Sequence, residues 1–119
     1  MKQLKIRHGL MMVAVLLISA PSFAAAPPIA LTDSKGLTLY IFDEDSAGTS
    51  SCYDGCAKTW PPLLTTENDF SAPISISNRK DTTLQIAYQG KPLYTFAGDH
   101  NPGDKNGDGL GGVWHVARP

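Results

Sequence analysis

The chain has 119 residues, of which 42% are hydrophobic and 18% are charged, and its formal net charge is −1 at pH 7. A chain of this length builds one small domain. The sequence has no basic patch, which makes nucleic acid and anionic membrane surfaces poor partners, and it has no phosphate-binding loop or dinucleotide-binding fingerprint.

The N-terminal residues have the pattern of a signal peptide. Three basic residues precede an uncharged, mostly apolar stretch at residues 10–20, which is too short to span a bilayer. Small residues predict cleavage after Ala24, with cleavage after Ala26 as the alternative. We therefore predict a signal peptide at 1–24 and a mature chain at 25–119, located in the periplasm or secreted. An uncleaved membrane anchor is the competing interpretation.

The predicted mature chain is acidic. It keeps seven basic and eleven acidic residues, a formal charge of −4, and the acids concentrate at 43–45 and 99–108. After cleavage no segment is expected to span the membrane. The expected partner is an envelope protein or a small ligand, and not nucleic acid.

One segment of the mature chain is repeated. Residues 36–45, Gly-Leu-Thr-Leu-Tyr-Ile-Phe-Asp-Glu-Asp, correspond to residues 90–99, Gly-Lys-Pro-Leu-Tyr-Thr-Phe-Ala-Gly-Asp, at an offset of 54 residues. The same offset aligns Trp60 with Trp114 without a gap. Such a repeat indicates that one supersecondary unit was duplicated and that both copies build one domain. The two copies are predicted at about 29–64 and about 74–118.

Short strands dominate the predicted structure. In residues 37–42, Thr38, Tyr40 and Phe42 share one face and three aliphatic residues share the other, so this strand is predicted to be covered on both sides. Residues 82–89 alternate as another strand, and a Gln-Gly turn follows it. The other predicted elements are a short helical turn near Cys52–Thr59 and strands at 74–77, 93–96 and 113–117. The predicted fold class is all-β or mostly β: one small domain of two pseudo-symmetric antiparallel β units.

Cys52 and Cys56 are the only cysteines. In an oxidising compartment two cysteines this close most often form a disulfide, which is the predicted state. Their spacing differs from the two-residue spacing of thioredoxin-type centres, and no histidine follows Cys56 as covalent haem attachment requires. Redox or metal use of the pair is the alternative.

Two Tyr-x-Phe-x-x-Asp motifs carry a resemblance to a known family. Their residues are Tyr40, Phe42 and Asp45 in the first copy and Tyr94, Phe96 and Asp99 in the second. With Cys-x-x-x-Cys-x-x-x-Trp-Pro-Pro-Leu at 52–63 and Gly-Gly-Val-Trp-His at 111–115, the motifs resemble those of the bacterial secreted-repeat proteins, often labelled predicted lipoproteins. The resemblance covers nearly the whole mature chain and implies export, but it implies no reaction. Many relatives carry a lipid-anchor cysteine, which this sequence lacks.

The motif aromatics are first of all core candidates. Tyr40 and Phe42 share a strand face, as do Tyr94 and Phe96, and aromatic side chains bury large areas. An exposed aromatic platform for a ligand is the functional alternative. The motif aspartates follow where each strand should end, and a carboxylate that bonds to its own turn explains that position without catalysis.

The sharpest chemical pattern is Asp-Lys-Asn-Gly-Asp-Gly at residues 104–109. It matches the opening of a calcium loop, with oxygen donors at the first, third and fifth positions and a turn glycine at the sixth. Position twelve is His115 instead of the usual glutamate, so a full EF-hand is not expected. A plain surface turn is the alternative to a looser calcium site. The candidate ligands are Asp104, Asn106, Asp108 and Asp99.

These patterns favour an exported, non-enzymatic repeat module that has a binding or envelope-associated structural role. No cofactor is expected apart from the calcium candidate. The alternative is a metal-binding or redox accessory protein that uses Cys52 and Cys56 or the segment Asp99–His115. In that segment His100 and His115 are the candidate ligands for a transition metal.

Overall fold

The computed structural model describes residues 29–119, and the predicted signal peptide at 1–24 lies outside this range. The predicted fold class is confirmed, because the described chain consists mainly of short antiparallel strands with little helix. The elements in chain order are β1 (Tyr40–Phe42), α1 (Gly55–Thr59), β2 (Leu64–Thr65), β3 (Ile74–Asn78), β4 (Leu84–Tyr88), β5 (Lys91–Pro92), a 3-10 turn (Leu110–Gly112) and β6 (Trp114–Val116).

The strands form two antiparallel sheets that meet at Tyr94. β1 pairs with β6 in one sheet. In the other sheet β4 lies between β3 and β2, and β5 pairs with the end of β4. Tyr94 bridges both Tyr40 in β1 and Pro62 ahead of β2. The backbones of the two motif tyrosines bond in both directions, at 2.8 and 3.0 Å, so the two tyrosines lie side by side at the junction of the sheets.

Each copy pairs its backbone with the other copy. The Asp43 N–H donates to the Val113 carbonyl at 2.8 Å, and the Ala97 N–H donates to the Thr59 carbonyl at 2.8 Å. The two donors, Asp43 and Ala97, are 54 residues apart, and so are the two acceptors, Thr59 and Val113. The segment after each motif tyrosine therefore bonds to the tryptophan-bearing segment of the other copy, and neither copy completes its ladder alone.

The two faces of β1 contact two different apolar clusters. Because side chains alternate along a strand, Tyr40 and Phe42 point to one face while Leu39 and Ile41 point to the other. The first cluster is aromatic and is built mainly from Tyr40, Trp60, Tyr94 and Trp114. The second is aliphatic and has buried Leu39, Leu93 and Ala117 at its centre. The prediction that this strand is covered on both sides is confirmed.

The β3–β4 hairpin turns its more polar face inward. Ser77 and Gln85 lie opposite one another in the register and are fully buried. Ile74, Ile86 and Tyr88 belong to the other face, which is only partly covered. The alternation predicted for this strand is present, and the polar set faces inward because Gln85 bonds to a buried arginine there.

Two predicted strands are shorter than their sequence patterns. The first begins at Tyr40 instead of Leu37, and Thr38 contributes only an isolated bridge to Thr32. The segment 93–96 forms bridges at Tyr94 but no strand. The reason is that successive residues of this segment bond to different neighbours, so no continuous ladder forms.

Gly107 is held against the aromatic cluster, which generates a prediction about stability. A Cβ at this position would lie 2.6 Å from Cη2 of Trp60. We expect Gly107→Ala to lower the free energy of unfolding by about 1–3 kcal/mol, the usual cost of overpacking a close-packed site. Urea denaturation followed by tryptophan fluorescence measures the change.

The matched control is Gly55→Ala in α1, where no atom lies within 4 Å of the added Cβ. We expect this change to be neutral or stabilising, because alanine is the better helix former. Equal destabilisation by the two substitutions would contradict the packing described for Gly107.

Candidate functional site

The motif tyrosines and aspartates form two reciprocal hydrogen bonds between the copies. The Tyr40 hydroxyl donates to Oδ2 of Asp99 at 2.6 Å. The Tyr94 hydroxyl donates to Oδ2 of Asp45 at 2.7 Å. Both tyrosines are fully buried, so each hydroxyl depends on its carboxylate for an acceptor in the protein interior. Each motif is thus completed by the aspartate of the other motif.

The second oxygen of each aspartate bonds to backbone farther along its own copy. Oδ1 of Asp45 accepts the Ser51 N–H at 2.8 Å, and Oδ1 of Asp99 accepts the Asn106 N–H at 3.0 Å. The prediction that each carboxylate bonds to its own turn is therefore incomplete. Each aspartate also joins the tyrosine of the opposite copy, which the spacing within one motif does not indicate.

Four aromatic rings stack across the junction of the copies. Trp60 and Trp114 are parallel, with centroids 3.8 Å apart and planes 5° apart. Phe42 stacks on Trp114 at 4.1 Å, and Phe96 packs on Trp60 at 4.4 Å. Each phenylalanine therefore packs on the tryptophan of the other copy. The motif aromatics form the core of the described chain, in agreement with their interpretation as core candidates.

Burial controls the protonation of the two motif tyrosines. It raises the pKa of Tyr40 well above its ordinary value, and the bond to Asp99 raises it further. It also raises the pKa of Tyr94, where the hydrogen bond with Ser50 lowers it and the Asp45 carboxylate raises it. Both phenols therefore stay protonated and act as donors to carboxylates.

A buried arginine lies behind the first copy. Nη1 of Arg79 donates to Oε1 of Gln85 at 2.8 Å and to Oγ of Ser50 at 3.0 Å. Nη2 donates to the Cys52 carbonyl at 2.7 Å. The guanidinium also lies over the Tyr53 ring, 4.2 Å from its centroid, which is favourable cation–π geometry. Two of these three hydrogen bonds, and the cation–π contact, come from segment 50–53.

The arginine is connected to the motif through Ser50. The Ser50 hydroxyl and the Tyr94 hydroxyl are 2.6 Å apart, and Tyr94 in turn donates to Asp45. A chain of hydrogen bonds thus runs from the Arg79 cation to the Asp45 carboxylate. The nearest exposed acid, Asp81, lies 3.9 Å from Nε of Arg79 and adds a weaker attraction.

The predicted disulfide is present between Cys52 and Cys56, with an S–S distance of 2.03 Å. Cys52 is buried, and its N–H donates to Oγ of Ser50 at 3.2 Å. The bridge therefore holds the segment that supplies acceptors to Arg79. The positions one offset later are Asn106 and Leu110, so the second copy has no counterpart of the bridge.

The predicted calcium loop uses its carboxylates to hold its own backbone. Oδ2 of Asp104 accepts the N–H groups of His100 and Asn101, both at 3.0 Å, and these bonds lower the pKa of Asp104. Oδ1 of Asp108 accepts the Val116 N–H at 3.1 Å. These oxygens are engaged by backbone donors in the folded chain.

The remaining candidate ligands each bond to a different partner. Asp99 is buried and bonds to Tyr40, while the Asn106 amide donates to the Gly98 carbonyl at 3.4 Å. Nε2 of His115 lies 2.7 Å from Oδ2 of Asp43. Within residues 29–119, no three histidine, cysteine, aspartate or glutamate residues converge as a metal-binding group. Calcium binding by this segment stays a prediction.

An open groove of about 430 Å³ lies over the aliphatic cluster. Its apolar lining includes Leu31, Leu64, Ile74, Ile86 and Tyr88, and we call it the apolar groove. Leu64 is 49% exposed and Ile74 is 36% exposed. The aromatic cluster is enclosed by the two copies, whereas the aliphatic cluster is open on this side.

Comparison with known proteins decides the family. The model of a family described as a secreted repeat of unknown function matches residues 30–64 and again residues 75–118. The chain belongs to this family of secreted repeats. Both matched segments contain one Leu-Tyr-x-Phe run, and the family description agrees with the predicted export. No curated protein and no solved structure matches the chain.

The described part of this secreted repeat protein, from Ile29 to Pro119, contains no helix that is long and apolar enough to cross a membrane.

The sequence identified the motif residues but missed the buried Arg79 and its hydrogen-bond partners, because a single arginine after a strand carries no pattern. The apolar groove had a weak signal, namely Ile86 and Tyr88 on one face of an alternating strand.

The raised tyrosine pKa values predict a loss of stability at alkaline pH. The pKa in the folded state exceeds the unfolded value, which is about 10. The contribution of the two protonated tyrosines to the free energy of unfolding is therefore complete below about pH 10 and is lost as the pH rises toward their pKa values in the folded state. We expect the urea midpoint to stay level between about pH 8 and about pH 9.5 and to fall progressively from about pH 10 upward.

A double variant, Tyr40→Phe with Tyr94→Phe, is the control for this titration. It lacks both buried phenols, so its urea midpoint should fall less over the same interval, although it starts from a lower stability. An identical fall in the variant and in the wild type would show that other groups cause the alkaline loss.

Proposed function

We propose that this secreted repeat protein is a non-catalytic binding module that works in the periplasm or outside the cell. Its partner is a protein or ligand of that compartment, and its binding surface is the apolar groove. The observation that carries the proposal is the open side of the aliphatic cluster, where Leu64 and Ile74 are exposed beside half-buried Ile86 and Tyr88.

The bonding of the motif residues supports a structural role for the repeat. Tyr40, Tyr94, Asp45 and Asp99 are saturated by one another and by neighbouring backbone. A catalytic acid or base must reach a substrate. Tyr40, Tyr94 and Asp99 are buried and Asp45 is half-buried, and the bonds of all four hold the two copies together. The function therefore belongs to surfaces that the repeat supports and not to the motif.

The energetics also favour a covered groove. Burying a fully exposed aliphatic side chain contributes about 1.5–3 kcal/mol. Leu64 and Ile74 are 49% and 36% exposed, so covering each of them contributes about a third to a half of that value. Leu64 and Ile74 already lie along the apolar groove. A partner can therefore gain the free energy of burying them with little reorganisation of the protein. A preformed, mostly apolar depression with few polar groups is the usual form of a binding site.

Site-specific photo-crosslinking in the producing cell tests the proposal. A photoreactive phenylalanine analogue replaces Leu64 in the groove or, as the control, Leu110, which is 43% exposed and does not line the groove. We expect an adduct of discrete mass from position 64 and not from position 110. We also expect Ile74→Lys to remove the adduct at 64.

The same adducts from both positions would show non-specific proximity and would contradict a binding role for the groove. The absence of any adduct at 64 in the compartment to which the protein is exported would contradict it as well.

A further inference from the structure

We propose that the open edge of β3 receives an extended, apolar peptide segment with basic flanks as an added antiparallel or parallel strand. This inference rests on the proposed binding function of the apolar groove and gives the chemistry of the partner. It is carried by three features of the described residues: free backbone groups on the edge, apolar side chains beside it, and acidic residues around it.

The register shows that β3 offers unpaired backbone groups. Ile76 lies opposite Ile86 in the β3–β4 ladder. The Ile86 N–H donates to the Leu63 carbonyl at 2.8 Å, and the Ile86 carbonyl accepts from the Leu93 N–H at 3.0 Å. Because Ile86 bonds away from β3 through both groups, Ile76 directs its own N–H and carbonyl away from β4, toward the outer edge.

The pairs at both ends of the ladder agree with this alternation. The Gln89 N–H donates to the Pro73 carbonyl at 2.8 Å, and the Arg79 N–H donates to the Thr83 carbonyl at 3.0 Å. The bonded positions of β3 are therefore the odd-numbered ones, and the outward ones are 74, 76 and 78. The Ile74 N–H already donates to the Ser71 carbonyl at 3.0 Å, so the edge offers the carbonyl of residue 74 and both backbone groups of residues 76 and 78. Among the strands of residues 29–119, only β4 pairs with β3.

The edge lacks the usual protection against an added strand. Natural edge strands carry charged residues, proline or bulges that prevent pairing. β3 reads Ile-Ser-Ile-Ser-Asn and carries no charge and no proline. A depression of about 490 Å³ lies beside it, lined among others by Phe70, Pro73 and Ile76. Ile74 lines both this depression and the apolar groove, so the two form one continuous surface.

The side chains along this surface suit an extended peptide. Residues of one strand point alternately to opposite faces, and Ile74, Ile86 and Tyr88 expose an apolar strip on the face of the groove. A strand added at β3 places every second side chain along that strip. Strand addition combines main-chain hydrogen bonds for affinity with side-chain contacts for selectivity.

The charges around the surface select basic flanks. Asp33 is the one charged residue among the described residues that line the groove. Glu67 and Asp69 are exposed on the loop whose residues Asn68 and Phe70 line the depression. Lys80, which follows β3, is also exposed, but Asp33, Glu67 and Asp69 outnumber it. An incoming segment with lysine or arginine at its ends is therefore favoured over one with acidic ends.

Capped synthetic peptides test the inference on the purified mature protein. The probe alternates valine and threonine and ends in lysine on both sides; the comparison peptide ends in glutamate. We expect the lysine peptide to bind in isothermal titration calorimetry and the glutamate peptide to bind at least about tenfold more weakly, since each lost ion pair adds to repulsion. Equal affinity for the two peptides would overturn the charge argument and the inference.

Backbone methylation of the peptide distinguishes strand addition from simple apolar contact. An edge strand bonds only the alternate N–H groups of its partner. Of two peptides that are N-methylated at alternate positions, one should keep its affinity and the other should lose it. Equal binding, or equal loss, would overturn the inference without any change to the protein.

Protein variants give a second readout. Ile76→Pro removes an outward N–H and should weaken the lysine peptide about tenfold, while Leu110→Lys, the exposed control on the 3-10 turn, should leave the affinity unchanged. Equal affinities of the two variants would overturn the inference.

A crosslinked adduct at Leu64 that persists in Ile76→Pro would leave the proposed function intact and refute strand addition alone. A wild-type dimer that Ile76→Pro dissociates would identify a second copy as the occupant and overturn the peptide.

Discussion

The reciprocal hydrogen bonds from Tyr40 to Asp99 and from Tyr94 to Asp45 are the constraint on which the rest of the structure depends. A buried hydroxyl or carboxylate left without its partner costs about 1–3 kcal/mol, so neither motif is stable by itself in the folded interior. Because each bond joins the two copies, it fixes their relative position. In that position Trp60 stacks on Trp114, and the backbone of each copy forms hydrogen bonds with the backbone of the other. Each copy therefore supplies an equivalent set of motif residues, and the two sets together enclose one aromatic core.

The duplication encloses only one of the two clusters, and the proposed binding surface lies over the other. Outside the motifs the copies diverge: the first carries the disulfide and the partners of Arg79, and the second carries the glycine-rich turn at 104–109. The hairpin of β3 and β4 lies almost wholly within the second matched segment, ahead of the second motif, and it contributes Ile74, Ile86 and Tyr88 to the open side of the aliphatic cluster. An aromatic core held by charge-assisted bonds supports this open side without help from a partner. The proposed binding surface thus lies outside the core that the motif residues build.

The sequence predicted the composition of the core better than its connectivity. The period of two along residues 37–42 predicted that Tyr40 and Phe42 share a face, and the fixed offset predicted equivalent roles for Trp60 and Trp114. Neither pattern shows which copy supplies the partner of a given side chain, because identical motifs allow pairing within a copy as well as between copies. The sequence pattern also did not show which face of β4 points inward, since buried Gln85 takes its partners from Arg79 and from the Leu93 carbonyl, both outside β4. Arg79 itself stands in no pattern, and its burial follows from the tertiary position of segment 50–53.

The most direct measurement of the central claim is a pair of double-mutant cycles on the free energy of unfolding. The first combines Tyr40→Phe with Asp99→Ala, each of which removes the bond between the copies. The second combines Tyr40→Phe with Asp45→Ala, which changes the aspartate of the same motif, to which Tyr40 makes no hydrogen bond. The reciprocal arrangement predicts a coupling energy of about 1–2 kcal/mol in the first cycle and additivity within about 0.5 kcal/mol in the second. Coupling within the same motif, with additivity between the copies, would contradict it.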